Sequence, residues 1–141
     1  MYLLDTNVVS ELRKVRAGRA DANVAAWADM VAATSLFISA ITIHELELGV
    51  LQKERIDAAQ GAVLRLWLHQ HVLPAFSERI LMVDAVVALR SAQLHVPDPR
   101  PSRDAFIAAT ALVHGLLVVT RDVADFRPTG VRVINPWEQA Q

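Results

Sequence analysis

Four short, largely apolar runs recur along the chain with helix-like stretches between them: Tyr2-Leu3-Leu4, Leu36-Phe37-Ile38-Ser39, Ile80-Leu81-Met82-Val83 and Leu116-Leu117-Val118-Val119. They are too short for the long helices of a bundle. They also lack the polar alternation of strands that keep one face in water. A continuous apolar run of this length reads as a strand buried on both faces, which is what a parallel sheet needs. A fifth run, Val131 to Ile134, is expected at an edge. Strands alternating with helices predict an α/β fold: a central parallel sheet of four to five strands with helices on both faces.

The intervening stretches carry helix signals. Val8 to Lys14 reads as a short helix. Asp21 to Ala33 places Val24, Trp27, Ala28 and Val31 on one face at spacings of three and four. Thr42-Ile43-His44-Glu45 reads as a capping box opening a helix that runs to about Lys53. Ile56 to His71 is a further helix, with Pro74 expected to end that region. Asp84 is a cap for a helix to about His95. Val96-Pro97-Asp98-Pro99-Arg100-Pro101 is a stiff loop. Ser102 is expected to cap a helix from Arg103 to Val113, which Gly115 stops. There is no repeat and no linker, so residues 1–141 read as a single domain.

A 141-residue chain buries roughly 68–70% of its unfolded surface. It is 53% hydrophobic but only 6% aromatic, so the core is aliphatic, as suits helices on a parallel sheet. The absence of cysteine excludes disulfides and thiolate metal sites and suits a reducing, cytoplasmic setting. There is no basic N-terminal region leading into an apolar core and no run of about 20 apolar residues, so neither export nor a membrane is expected. The net charge of −1 says little, because a polyanion binder would have to gather its 14 Lys and Arg on one face. Arg13, Lys14, Arg16 and Arg19 make a loose basic run around Gly18 that reads most simply as a solvated loop.

Acids follow the strands. Asp5 closes the first, Glu45 follows the second, and Asp122 and Asp125 follow the fourth. Asp104 lies in the first turn of the helix that leads into the fourth. Right-handed parallel connections bring strand ends and helix starts to one edge of the sheet, and with them all these acids. Each alone has an ordinary explanation, as a cap or as a complement to a helix dipole worth about 0.3–1 kcal/mol. Together they would repel and raise one another's pKa, and a cation is the natural remedy. Hard carboxylates without cysteine favour magnesium or manganese over zinc.

Other chemistries fit less well. His44-Glu45 lacks the second histidine of a zinc-protease helix, since Leu48 stands where it would be. His69 and His71 fall on different sides of their helix, and His95 and His114 sit near helix C-termini. The scattered glycines make no phosphate loop.

The blocks Leu4-Asp5-Thr6-Asn7-Val8-Val9-Ser10-Glu11, Ser39 to Gly49, Asp104 to Ala111, and Val119 to Phe126 resemble PIN-domain proteins, and within them VapC-type toxins of the FitB-like branch. The likeness runs from Tyr2 to about Trp137. It implies a three-layer α/β/α sandwich and a magnesium- or manganese-dependent ribonuclease acting on tRNA or another structured RNA. It implies that Asp5, Glu45, Asp104 and Asp122 form the acidic, metal-holding pocket, with Asp125 nearby, and that Thr6, Asn7 and Thr120 orient the carboxylates. Against that background Arg13, Lys14, Arg16, Arg19 and Arg121 become candidate RNA phosphate contacts, and Arg100 and Arg103 lie near the same edge.

The resemblance further implies a cognate antitoxin seated between Val8 and Val50, a homodimer or toxin–antitoxin hetero-oligomer, and contact with promoter DNA only through the antitoxin. Three other readings remain open from sequence. One is a related nuclease of RNA processing or of DNA. Another is a non-catalytic, partner-binding subunit. The third is a magnesium phosphatase, which would want an acid where Asn7 stands.

Overall fold

A computed structural model of the chain describes residues 1–138. The strands are β1 (Tyr2–Leu4), β2 (Leu36–Ser39), β3 (Ile80–Leu81), β4 (Leu117–Val119) and β5 (Val133–Ile134). They form one parallel sheet in the order β3-β2-β1-β4-β5, so β5 does lie at an edge. The helices are α1 (Thr6–Leu12), α2 (Ala22–Met30), α3 (Ala40–Ile56), α4 (Ala58–Trp67), α5 (Leu73–Ala75), α6 (Ala85–Gln93), α7 (Ser102–His114) and α8 (Val123–Phe126). The α/β sandwich expected from the sequence is therefore present. Among the described residues no helix is long and apolar enough to cross a membrane.

The central strand explains the aliphatic composition. In β1, Leu4 packs into a core with Val8, Ile38, Leu46 and Val119, while Leu3 packs into another with Ile107, Ala108, Val118 and Phe126. Neighbouring residues of a strand point to opposite faces. Two adjacent leucines thus supply two cores, one under α1, α3 and α4, the other under α7 and α8. Both leucines are fully buried.

Four expectations are corrected. Thr42 does not cap α3. The helix starts earlier, at Ala40, and Ser39 is the cap, its Oγ accepting from the Ile41 amide at 3.0 Å. Both residue types cap well, and the one that ends the strand in an extended conformation takes the position. Glu45 consequently lies beyond the first turn. Ser102 does not cap α7 either. The cap position is Pro101, which offers no side-chain acceptor, and Ser102 is the first helical residue. The helix expected to stop at His71 instead passes through a π-helical turn, Leu68–Val72, directly into α5. Pro74 sits in the last turn of this continuous run, which stops one residue later, at Ala75. Finally, α1 starts at Thr6, because Asp5 itself caps it, accepting from the Thr6 amide at 2.8 Å.

The hairpin of α3 and α4 is held by Arg65, which donates to Glu47 at 2.6 Å and to Glu54 at 2.9 Å. These pairs are partly exposed, so packing contributes more than charge. Gly61 marks the closest approach. A Cβ there would lie 2.5 Å from the Glu54 Cα. Helix propensity alone favours Gly61→Ala by about 1 kcal/mol, but overlap with a backbone atom costs about 1–3 kcal/mol. We expect Gly61→Ala to be destabilised by up to about 2 kcal/mol, read as a lower urea midpoint. A raised midpoint would mean that the two helices are not in contact.

Candidate active site

The strand order reverses between β1 and β4: the chain moves outward to β2 and β3 on one side and to β5 on the other. In open α/β sheets the crevice beyond the strand ends at such a reversal is where ligands bind. Asp5 and Thr120 stand on its two sides, immediately after β1 and β4.

Asp5 is 5% exposed, and its carboxylate is held from both strands. Oδ1 accepts from the Thr6 amide at 2.8 Å, and Oδ2 accepts from Thr120 Oγ1 at 2.7 Å. Thr120 is fully buried, and its hydroxyl also accepts from the Asp122 amide at 2.9 Å. Asn7 Nδ2 points into the same group, 3.4 Å from Asp5 Oδ2 and 3.2 Å from Asp122 Oδ2. Asn7 Oδ1 accepts from the Arg121 amide at 3.3 Å. On the other side Thr6 Oγ1 donates to Glu45 Oε1 at 2.8 Å and lies 3.3 Å from the buried Thr42 hydroxyl. Thr6, Asn7 and Thr120 thus fix the directions of three carboxylates.

Burial pushes the Asp5 carboxyl up, the Thr120 and Thr6 hydrogen bonds pull it down, and Glu45 and Asp122 push it up again. Asp104, in the first turn of α7, is pushed up to about 6 by burial and then by Asp5, Asp125, Glu45 and Asp122. All the acids singled out from the sequence therefore share one field. Asp122 and Asp125 form its exposed rim.

This donor set fits a hard divalent cation. The oxygens are carboxylate, they repel one another, and the nearest opposing charge is Arg103, whose Nη1 lies 3.6 Å from Glu45 Oε2. Among the described residues no three His, Asp or Glu side chains close into a tight cage.

The basic sequence candidates have contacts of their own. Lys14 pairs with Glu11 at 3.2 Å, and the Arg13 guanidinium lies over Trp67 at 5.9 Å. Arg16 lines an apolar groove, and Arg19 is exposed. Arg121 lies over Trp137 at 4.9 Å. His95 accepts from the Arg100 amide, and His69 lies beside Arg65. Sequence reasoning missed Glu11, whose Oε2 accepts from the Asp21 amide at 2.9 Å and so pins the basic loop between α1 and α2. It also took Thr42 for a cap, whereas its hydroxyl faces the site. The pairing of α1 with α3 shows the role of Thr42, and the return of the chain to α1 just before α2 shows that of Glu11.

The PIN-domain family profile matches residues 2–129. The chain belongs to the PIN-domain family. It is 39% identical to the toxin FitB of Neisseria gonorrhoeae over 97% of this chain and 99% of that one. It is 37% identical to a VapC ribonuclease of Sinorhizobium fredii over 99% and 100% respectively. The FitAB complex bound to the IR36 DNA fragment superposes with a TM-score of 0.89 at 36% identity, covering 100% of this chain and 99% of that one. The likeness to VapC-type and FitB toxins read from four sequence blocks thus extends over the whole chain.

The shared field gives a measurable sign. The folded-state pKa of Asp104 is about 6 against an ordinary 3.8, so between those values the folded protein binds more protons than the unfolded. That contribution is fully present at low pH and is lost as pH rises through about 6. We expect metal-free Asp104→Asn to melt a few degrees above wild type at pH 7 and level with it near pH 4. Magnesium should raise the melting temperature of wild type and not of the variant. A gap that widens on acidification would contradict this electrostatic picture.

Proposed function

We propose that this chain is a magnesium- or manganese-dependent endoribonuclease, the toxin of a type II toxin–antitoxin pair acting in the cytoplasm, with tRNA or another structured RNA as substrate. The observation that carries the reading is the group of carboxylates at the sheet reversal, oriented by Thr6, Asn7 and Thr120 and lacking enough positive charge to balance it. Relatives similar over their full length are named as a VapC ribonuclease and a toxin, which supports the reaction class.

Asp5, Glu45, Asp104 and Asp122 would hold the cation, with Asp125 on the rim. When bound, magnesium or manganese supplies positive charge at the scissile phosphate and acidifies the attacking water. Thr120 and the Thr6 amide keep the Asp5 oxygens aimed into the crevice, and Thr6 Oγ1 does the same for Glu45. The water oxygen bonds to phosphorus as the bond to the 3′ oxygen breaks. One proton of the water passes to a pocket carboxylate, and the departing oxygen takes one from solvent. The products are a 3′-hydroxyl and a 5′-phosphate.

The partner in this reading is a cognate antitoxin. A groove of about 670 Å³ between α1 and the α4–α5 segment, lined by Leu12, Val63, Leu66 and Trp67 with Arg13 and Arg16 at its border, offers such a chain an apolar seat. Of the Val8 to Val50 span expected from the sequence, α1 and the loop after it line this groove. The structural neighbours are toxin–antitoxin complexes, some on DNA, so a hetero-oligomer that meets promoter DNA through the antitoxin is the assembly we propose.

The test is cleavage of total tRNA by antitoxin-free protein with magnesium or manganese, with a chelator, and beside two variants. We expect discrete metal-dependent cuts, reduced about 10–100-fold in Thr120→Val through weaker metal binding, and reduced further in Asp5→Asn. Folded protein that leaves tRNA intact but cuts DNA or another RNA would replace the substrate. Protein that cuts no nucleic acid would remove the nuclease reading.

A further inference from the structure

Glu45 is held differently at its two oxygens. Oε1 accepts a 2.8 Å hydrogen bond from Thr6, a contact made within the pocket wall. Oε2 faces Arg103 Nη1 at 3.6 Å, across a loose contact whose arginine side chain is 50% exposed. The contrast with Arg65, which grips its two glutamates at 2.6 and 2.9 Å, is marked. Of the ion pairs among the described residues, this is the one that reaches the acids. A half-exposed pair at this distance is weak and readily exchanged. Its backbone, by contrast, is fixed: Arg103 lies in the first turn of α7, next to Asp104. The guanidinium is a half-exposed, loosely paired cation on a helical base beside the acids.

Resting on the ribonuclease reading above, we propose that Arg103 is a further catalytic residue: it covers Glu45 Oε2 in the substrate-free protein and passes to a non-bridging oxygen of the scissile phosphodiester. A divalent cation held by Glu45 would take Arg103's partner from it. The phosphodiester is then the anion within reach. A planar guanidinium fork matches phosphate oxygens, and charge placed where the transition state gains charge accelerates the step. The two roles have opposite signs in a measurement. As a cover for Glu45, Arg103 competes with the metal. As a phosphate contact, it aids turnover.

The experiment compares wild type, Arg103→Ala and Arg103→Lys by manganese titration calorimetry and by single-turnover cleavage of total tRNA at saturating manganese. We expect Arg103→Ala to bind manganese about two- to five-fold more tightly, because the competing cation is gone. Its cleavage rate should nonetheless fall about 10–100-fold. Arg103→Lys should return manganese affinity to the wild-type value and recover part of the rate, since an ammonium keeps the charge but not the fork. Equal rates in wild type and Arg103→Ala would overturn the proposal, as would weaker manganese binding and slower cleavage together, which would make Arg103 a support for Glu45 alone. Wild-type protein that cuts no RNA would bring down the ribonuclease reading and this inference with it.

Discussion

The hydrogen bond from Thr120 to Asp5 carries the site. A carboxylate buried between two strands is costly unless donors reach it. Here one oxygen is satisfied from the start of α1 and the other from the residue after β4. The bond therefore closes the sheet where its order reverses and aims a charged group into the crevice there. Asp122, Asn7 and Arg121 are then organised from the same point, through the second interaction of the Thr120 hydroxyl and the two ends of the Asn7 amide. Removing the hydroxyl would remove more than one contact, because a polar network of this kind loses several partners with any member.

The remaining acids sit where local structure tolerates negative charge. Asp104 is in the first turn of a helix, and Asp122 and Asp125 are exposed around the start of another. Helix N-termini favour anions by a few tenths of a kcal/mol to about 1 kcal/mol each, which softens the repulsion without removing it. Burial first, and then the residual imbalance, raises Asp104. A fold that collects strand ends and helix starts on one edge thus has the means to assemble an acidic pocket from pieces far apart in sequence.

Much of this was legible in the sequence because the signals were local and repeated. Short apolar runs gave the strands, and the acids after them gave one edge. The misreadings share a cause. Thr42-Glu45 has the spacing of a capping box, yet Ser39 begins the helix first, and both supposed box members turn to Thr6 instead. Arg13 reads as a free cation until Trp67 arrives from α4. In each case two chemically equivalent local outcomes compete, and a contact from a distant segment selects between them.

The alternation within β1 has a consequence for how the protein can change. Leu3 and Leu4 belong to different cores, and the next residue is Asp5. The orientation of that carboxylate is therefore set by two packing problems solved at once, separated by a single peptide unit. Relaxation on either face of the sheet tilts the strand and moves the acid, and there is no spacer along which the disturbance could die away. For this dipeptide, stability and chemistry are not independent traits, and an enlarged or emptied core on either side is already an alteration of the active site.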